Sequence, residues 1–211
     1  MLGALIKAIN LLARNVERFD PASLNDPVAL ETSWHPAKRG GTNFRTHRLV
    51  GDGKQRLSFL PTPASWLIAA AFVGSGPVMS VLFYLRHPFP LNNIPPAMLL
   101  VLAMCGVFSI FGLYFSKQYL GTKVFDGASR AYADKGRRVG FDRIYAIQLL
   151  SEYCGGGTGS LKSRSFSSYE LNLVLKDGER LNVTDHGNLA ALREDANKLA
   201  QFLDRPVWDA A

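Results

Sequence analysis

Residues 57–85 read LSFLPTPASWLIAAAFVGSGPVMSVLFYL, and residues 88–116 read PFPLNNIPPAMLLVLAMCGVFSIFGLYFS. Each stretch runs for 29 residues without an Asp, Glu, Lys or Arg. A membrane-spanning helix needs only about 20 predominantly apolar residues. The two stretches therefore predict an integral membrane protein with a two-helix transmembrane hairpin over residues 64–116.

The first apolar stretch carries small residues and a proline near its middle, at Gly74, Ser75, Gly76 and Pro77. Pro77 removes one backbone hydrogen bond, and small residues allow two helices to approach closely. We therefore expect a kinked, tightly packed hairpin. Neither stretch has an ionisable residue near its centre, which argues against an ion path or a charged substrate site within the membrane.

Basic residues flank the two apolar stretches, while the loop between the two stretches carries Arg86 alone. Lys and Arg concentrate on the cytoplasmic side of membrane proteins. This pattern predicts a protein of the plasma (inner) membrane with two spans and both termini in the cytoplasm. The net charge of +7 is explained by this orientation or by contact with anionic lipid. We expect membrane lipids rather than nucleic acid as partners.

The residues before the first span divide into two predicted segments. Apolar residues recur at helical spacing over residues 1–19, which predicts an amphipathic helix ended by Asp20-Pro21. Residues 20–63 are predicted to be a linker rich in Asp, Asn, Ser and Pro, followed by a possible β-hairpin. In that hairpin, the turn at residues 51–53 separates residues 42–50 from residues 54–60.

Residues 117–211 consist of short apolar segments punctuated by glycine, which is typical of consecutive antiparallel strands. The clearest pair of strands lies between Tyr169 and Val183, around the turn Asp177-Gly178. Over residues 189–203 the apolar residues recur at steps of three and four, which predicts a helix with one apolar face. This order predicts an α+β domain in which an antiparallel sheet or split barrel is capped by a C-terminal helix.

A membrane hairpin followed by this strand order and helix resembles the bacterial pleckstrin-homology-like (bPH-type) two-span membrane proteins. The resemblance is carried by VFD at 124–126, FDRIYAI at 141–147, the hairpin over 169–183 and the helix over 189–203. It implies a membrane α-helical hairpin joined to a cytoplasmic PH-like β domain. It also implies a non-enzymatic binding or assembly role, in which the domain presents a surface to lipids, peptides or partner proteins.

No stretch of the sequence carries a catalytic or metal-binding pattern. The glycine-rich run at 155–160 lacks the Gly-Lys-Ser/Thr end of a phosphate loop. The four histidines have no metal-ligand spacing to one another or to the two cysteines. Asp126 and Asp142 each follow a phenylalanine, and a paired-carboxylate site is the alternative to ordinary turn residues. We expect no catalytic residue, no cofactor and no metal, and a protein that is not an enzyme.

The basic residues near the spans are the best candidates for a binding surface, since an anionic leaflet attracts each such charge by about 1 kcal/mol. A role in orientation and solubility alone is the alternative. The leading hypothesis is a non-catalytic membrane protein that binds a protein partner, in assembly, scaffolding or regulation of a membrane complex. The alternatives are an anionic-lipid-binding protein and a membrane-embedded immunity or inhibitor protein. The candidate lipid- or partner-binding residues are Lys38, Arg39, Arg45, Arg48, Lys135, Arg137 and Arg138.

Overall fold

The computed structural model describes residues 19–38, 40–90, 93–154 and 166–211. The predicted helix over residues 1–19, except its last residue, and the glycine-rich run at 155–160 lie outside these ranges. The described helices are α1 (Pro27–Glu31), α2 (Pro63–Arg86), α3 (Pro96–Tyr119) and α4 (Leu189–Leu203). The described strands are β1 (His47–Gly51), β2 (Arg56–Pro61), β3 (Lys123–Asp126), β4 (Ala131–Asp134), β5 (Arg137–Gly140), β6 (Ile144–Cys154), β7 (Phe166–Leu175), β8 (Arg180–His186) and β9 (Val207–Ala210).

The strands form two sheets. Sheet 1 has the order β1-β2-β3-β4-β5 and is antiparallel throughout. Sheet 2 has the order β8-β7-β6-β9, and its last pair, β6 with β9, is parallel. The predicted β segments and C-terminal helix are present, but sheet 2 is mixed rather than antiparallel. It is mixed because the chain leaves α4 through Arg205-Pro206 and then runs alongside β6 in the same direction.

The two long apolar helices are inserted between two adjacent strands of sheet 1. A single residue, Thr62, separates β2 from α2, and residues 120–122 separate α3 from β3. Strands β2 and β3 pair directly, with Phe59 opposite Lys123 at the end nearest the helices. Neighbouring strands lie about 4.8 Å apart, so the helices begin and end side by side. Sheet 1 thus combines strands from both sides of the hairpin, whereas the sequence-based division placed residues 20–63 and 117–211 in separate segments.

Helices α2 and α3 are each 24 residues long. At 1.5 Å per residue they measure about 36 Å, more than the roughly 30 Å hydrocarbon core of a bilayer. Only 11% of the most apolar window of each helix is buried in the protein, so most of their apolar side chains face outward. The prediction of two helices long and apolar enough to cross a membrane is confirmed.

Glycines set the distance between α2 and α3. A Cβ atom at Gly76 would lie 2.7 Å from the Cys105 carbonyl oxygen, and one at Gly112 would lie 2.6 Å from the Val73 backbone nitrogen. Both distances are shorter than van der Waals contact. The two helices can therefore approach this closely only because positions 76 and 112 carry no side chain. The predicted close packing is present at Gly76, whereas Gly74 faces open space.

Pro77 leaves one backbone carbonyl of α2 without its helical donor. Proline has no N–H, so the Val73 carbonyl, four residues earlier, loses its usual partner. The Ser109 hydroxyl of α3 lies 3.4 Å from this carbonyl and donates to it. Since a bilayer offers no water to such a group, the contact both compensates for the proline and joins the helices.

One apolar core joins the two sheets and α4. The inner faces of both sheets contribute fully buried side chains, and α4 covers the core with its apolar face. Strand alternation on β2 directs Leu57 and Phe59 into the core and Ser58, which is also buried, to the opposite face of sheet 1. The fully buried core residues include Phe59, Phe125, Ile147, Leu173 and Leu199.

Residues 19–38 and 40–44, here called the strap, lie across the outer face of sheet 2. Asp20 and Asp26 each accept a backbone N–H two residues on and are followed by proline, which starts a short helical turn at each position. Ala29 on α1 is fully buried and packs with Trp208 of β9. The stretch over residues 20–36, for which the sequence predicts a linker, therefore completes a second, smaller apolar core.

Gly112→Val and Gly106→Val form a matched pair within α3, because a Cβ at Gly106 meets nothing within 4 Å. We expect the first substitution to push α3 away from α2 and to destabilise the full chain by about 1–3 kcal/mol. The second substitution is expected to have little effect. Thermal unfolding in detergent, followed by tryptophan fluorescence, measures the difference, and equal effects of the two variants would contradict the packing described here.

Candidate functional site

The junction between the hairpin and the β domain is built on the tripeptide Arg45-Thr46-His47. The Thr46 carbonyl accepts the backbone N–H of Thr62 at 2.9 Å and the hydroxyl of Ser65 at 2.8 Å. The Thr62 hydroxyl in turn donates to the Arg45 carbonyl at 2.8 Å. Because Thr62 is the N-cap of α2, these three bonds hold the first turn of that helix against the start of β1.

The same tripeptide holds the other end of the hairpin. His47 Nε2 lies 3.0 Å from the carbonyl oxygen of Gly121, in the short link between α3 and β3. A carbonyl only accepts, so Nε2 carries the ring proton. Burial lowers the pKa of His47 to about 4, and the ring is neutral at physiological pH. Both helix ends are therefore bonded to consecutive residues at the start of β1.

Two further contacts join the tripeptide to the rest of the β domain. The Thr46 hydroxyl lies 3.1 Å from the carbonyl oxygen of Asp185 in β8 and donates to it. Arg45 forms an ion pair with Asp195 of α4, and only 3% of the Asp195 side chain is exposed. The junction thus contacts sheet 1, sheet 2, α4 and both long helices.

Two glutamates of sheet 2 bind the backbone of the strap just before the junction. Glu170, which is 2% exposed, accepts the backbone N–H groups of Ala37 and Lys38 at 2.8 and 2.9 Å. It also accepts the side-chain amide of Asn182 at 2.8 Å. Glu152 accepts the N–H groups of residues 40 and 41 at the longer distance of 3.3 Å. The strap is therefore fixed at a defined position as it approaches the hairpin.

Lys123 is a buried charge at the end of sheet 1 nearest the hairpin. It is 8% exposed, and burial lowers its pKa to about 8 despite the opposing influence of Asp134 and Asp185. Burial also raises the pKa of Asp185 to about 6. Among the described residues, no carboxylate lies within 4.0 Å of the Lys123 ammonium group. The site therefore contains a mostly protonated amine that the described residues leave without an ion-pair partner.

Two of the sequence-predicted basic residues meet at the end of α3. The Lys38 ammonium lies 5.5 Å from the centre of the Tyr119 ring, in range for a cation–π contact. The Lys135 ammonium donates to the Gln118 side-chain oxygen at 3.1 Å. These residues are almost 100 positions apart in the sequence, and the fold brings them to the same helical turn.

The other predicted basic residues are separated by the fold. Arg45 is bound to Asp195, and Arg137 is paired with Glu179 at 2.6 Å. Arg48 and Arg138 are exposed, and strand alternation places them on the outer face of sheet 1. Arg39 lies outside the described residues. The six described candidates therefore do not form one continuous patch.

Several buried polar residues of the junction were not among the sequence-predicted candidates: His47, Lys123, Glu170 and Asp185. Lys123 had a detectable signal, because it lies two residues before Phe125 on a predicted strand and so faces the same side as that core residue. Glu170 had no such signal, because it alternates with Leu171 and is predicted on the polar face of its strand, which the strap covers in the structure. The role of His47 had no such signal, since it depends on a carbonyl 74 residues away.

No protein-family model, curated protein or solved structure matches this chain. Within the described ranges, no group of three or more His, Cys, Asp or Glu side chains is placed to hold a metal ion. The two cysteines are free thiols. The interpretation of the site therefore depends on its own geometry.

Glu170→Gln and Glu152→Gln test how firmly the strap is held. Glutamine keeps one acceptor oxygen but turns an N–H₂ group toward backbone N–H donors. We expect Glu170→Gln to lower the free energy of unfolding by about 1–3 kcal/mol, because it leaves a buried donor unsatisfied. The more exposed Glu152 is the control and should change stability by less than about 1 kcal/mol. Chemical denaturation of the full chain in detergent measures both, and a larger effect at Glu152 would contradict the assignment.

Proposed function

We propose that this chain is a two-span protein of the plasma (inner) membrane with both termini in the cytoplasm. Its β domain acts as a non-catalytic interaction module in the assembly, scaffolding or regulation of a membrane complex. The observation that carries this proposal is the insertion of the hairpin between β2 and β3. A domain joined to the membrane through two adjacent strands keeps one face toward the bilayer.

The bonds at the junction support a fixed orientation of the domain. A single flexible tether would let a cytoplasmic domain rotate freely. Here Thr62 and Gly121, at the two ends of the hairpin, are both bonded to residues 46–47. A domain held in this way presents the same surfaces to every neighbour in the plane of the membrane, which suits a role in assembly.

The strand order supports a PH-like interpretation of the domain. Strands β2 to β5 follow one another in sheet 1, strands β6 to β8 follow one another in sheet 2, and α4 then covers the shared core. The resemblance implies an antiparallel sheet or split barrel capped by a C-terminal helix, and the succession of strands followed by one covering helix supports that interpretation. Fold analogy does not determine function, so the binding role is inferred from the exposed surfaces.

The outer face of sheet 1 is the surface best placed for a protein partner. The strap covers the outer face of sheet 2, through Ala29 and its neighbours. On sheet 1, Arg48 and Arg138 are exposed, while Leu60 and Val124 are partly exposed. Arginine and apolar side chains together are typical of protein interfaces.

Anionic lipid is the second candidate partner, and the convergence of Lys38 and Lys135 at the end of α3 favours it. The two candidates use different parts of the domain. A protein partner would bind the face that points along the membrane plane or away from it, whereas lipid would bind the end nearest the hairpin.

A photo-crosslinking residue at position 138 tests the proposed partner surface in the native membrane. The matched control is position 198, on the exposed side of α4, where Lys198 pairs only with Glu194 of the same helix. We expect a stoichiometric protein adduct from position 138 and none from position 198. The proposal would be overturned if both positions gave no adduct and the chain was recovered alone after extraction in mild detergent.

A further inference from the structure

Three lysine side chains converge on the last turn of α3 and the start of β3. We propose that Lys38, Lys123 and Lys135 form a binding site for the phosphate group of an anionic phospholipid. The proposal rests on the proposed placement of the hairpin in a membrane. The lipid would bind at this end of the domain. Arg45 and Arg137 are not part of the site, because they form ion pairs with Asp195 and Glu179.

The positions of the three side chains follow from contacts with a single segment, residues 118–123. Lys38 lies over the Tyr119 ring, and Lys135 donates to Gln118. The stem of Lys135 also lies beside Gly121, where a Cβ would be 3.7 Å from the lysine Cε. Lys123 follows two residues after Gly121, and it lies near enough to Lys38 and Lys135 for their charges to lower its pKa.

The unpaired charge of Lys123 is the strongest indication of a ligand. A buried ammonium group is costly unless a negative charge accompanies it. Lys123 has no carboxylate within ion-pair distance in the described part of the chain, and Lys38 and Lys135 share this property. Asp134 and Asp185 are near enough to raise the pKa of Lys123, but neither is within ion-pair distance of it. A phosphate bound among the three lysines would supply a negative charge in direct contact, and Lys binds phosphate well as a compact point charge.

The depth of the site matches the phosphate layer of a bilayer. Helix α3 is about 36 Å long, and the hydrocarbon core is about 30 Å thick. Its last turn, with Gln118 and Tyr119, therefore extends beyond the hydrocarbon into the headgroup region. A tyrosine at this depth is typical of the membrane interface.

The backbone of Lys135 determines which substitution can test its charge. Lys135 and Gly136 form the two-residue turn between β4 and β5, with φ of +46° and +83°. Such turns favour Asn-Gly, because an ordinary side chain at positive φ is strained. Asparagine therefore suits this position at least as well as lysine does.

A different explanation is that the lysines only stabilise the C-terminal end of the α3 dipole, which attracts cations. The two explanations differ in a measurable way. Lysines that serve the helix alone would affect stability without any preference among lipids. Lysines that bind phosphate would change the lipid preference, even in a variant with full stability.

Lys135→Asn separates these two effects, because asparagine suits the turn and carries no charge. Lys54→Asn is the matched control, because it makes the same substitution in the β1–β2 turn. Lys54 is exposed and precedes β2, whose opposite end leads into the hairpin. Lys38→Gln is the second test variant. Native mass spectrometry of the full chain in mild detergent, titrated with phosphatidylglycerol or phosphatidylcholine of equal chain length, measures the lipid affinity.

We expect the unmodified chain to bind phosphatidylglycerol more tightly than phosphatidylcholine. Lys135→Asn and Lys38→Gln should each weaken phosphatidylglycerol binding about fivefold, the effect of one charge near an anionic leaflet. Lys54→Asn should leave it unchanged. Equal binding of the two lipids, or an equal loss in Lys54→Asn, would overturn the site. Displacement of the lipid by millimolar inorganic phosphate would overturn its assignment to lipid.

Alkaline carbonate extraction of the expressing membranes distinguishes failure of the site from failure of the proposed function. A chain that stays in the membrane but shows no lipid preference overturns the lysine site alone. A chain that carbonate releases overturns the proposed membrane placement, and the lysine site with it.

Discussion

The backbone pairing between β2 and β3 fixes both ends of the hairpin, because a single residue separates β2 from α2 and only three residues separate α3 from β3. Two helices that leave neighbouring strands must run side by side, and the glycines at positions 76 and 112 then let them pack closely. The pairing also joins the strands that precede the hairpin in the sequence to the strands that follow it, and together they form sheet 1. The core, α4 and the strap are all assembled on that sheet and its partner.

Polar contacts, rather than apolar burial, connect the hairpin to the domain. Apolar packing has no preferred direction, whereas hydrogen bonds to the Thr46 carbonyl and from His47 hold the helix ends in one geometry. Burial of His47, Lys123 and Asp185 carries a desolvation cost, which is visible in their shifted pKa values. The large apolar core of the β domain offsets that cost. A junction of this kind favours a defined orientation over maximal stability.

The sequence predicts the elements of this fold better than their connections. Residues 57–116 predict the hairpin because uncharged stretches of that length are costly to place in water, and the alternation around Tyr169 predicts a strand directly. Residues 42–60 predict the β1–β2 hairpin through the glycine turn. The pairing of β2 with β3 is not visible in the sequence, since it depends on a contact between segments about 60 residues apart. The strap is missed because its apolar residues, such as Trp34, have no regular period.

For the candidate site, the sequence identifies charge but not the partner of each charge. Lys38 and Lys135 are predicted as candidates for a binding surface, yet only the fold brings both to α3. Arg45 has the same signal in the sequence and is bound to a carboxylate 150 residues later. The difference between a free and a paired cation is a property of tertiary structure, and no local pattern reports it.

The pairing of β2 with β3 is tested most directly by a disulfide across it in the native membrane. Ser58 and Val124 lie directly opposite each other, at a separation that suits a disulfide. With Cys105 and Cys154 replaced by serine, the full chain carrying Ser58→Cys and Val124→Cys should form the bond nearly completely under mild oxidation. The control pair, Ser58→Cys with Asp126→Cys, is shifted by two residues and should form little. Equal yields from the two pairs, or no bond in the first, would contradict the insertion of the hairpin between these strands.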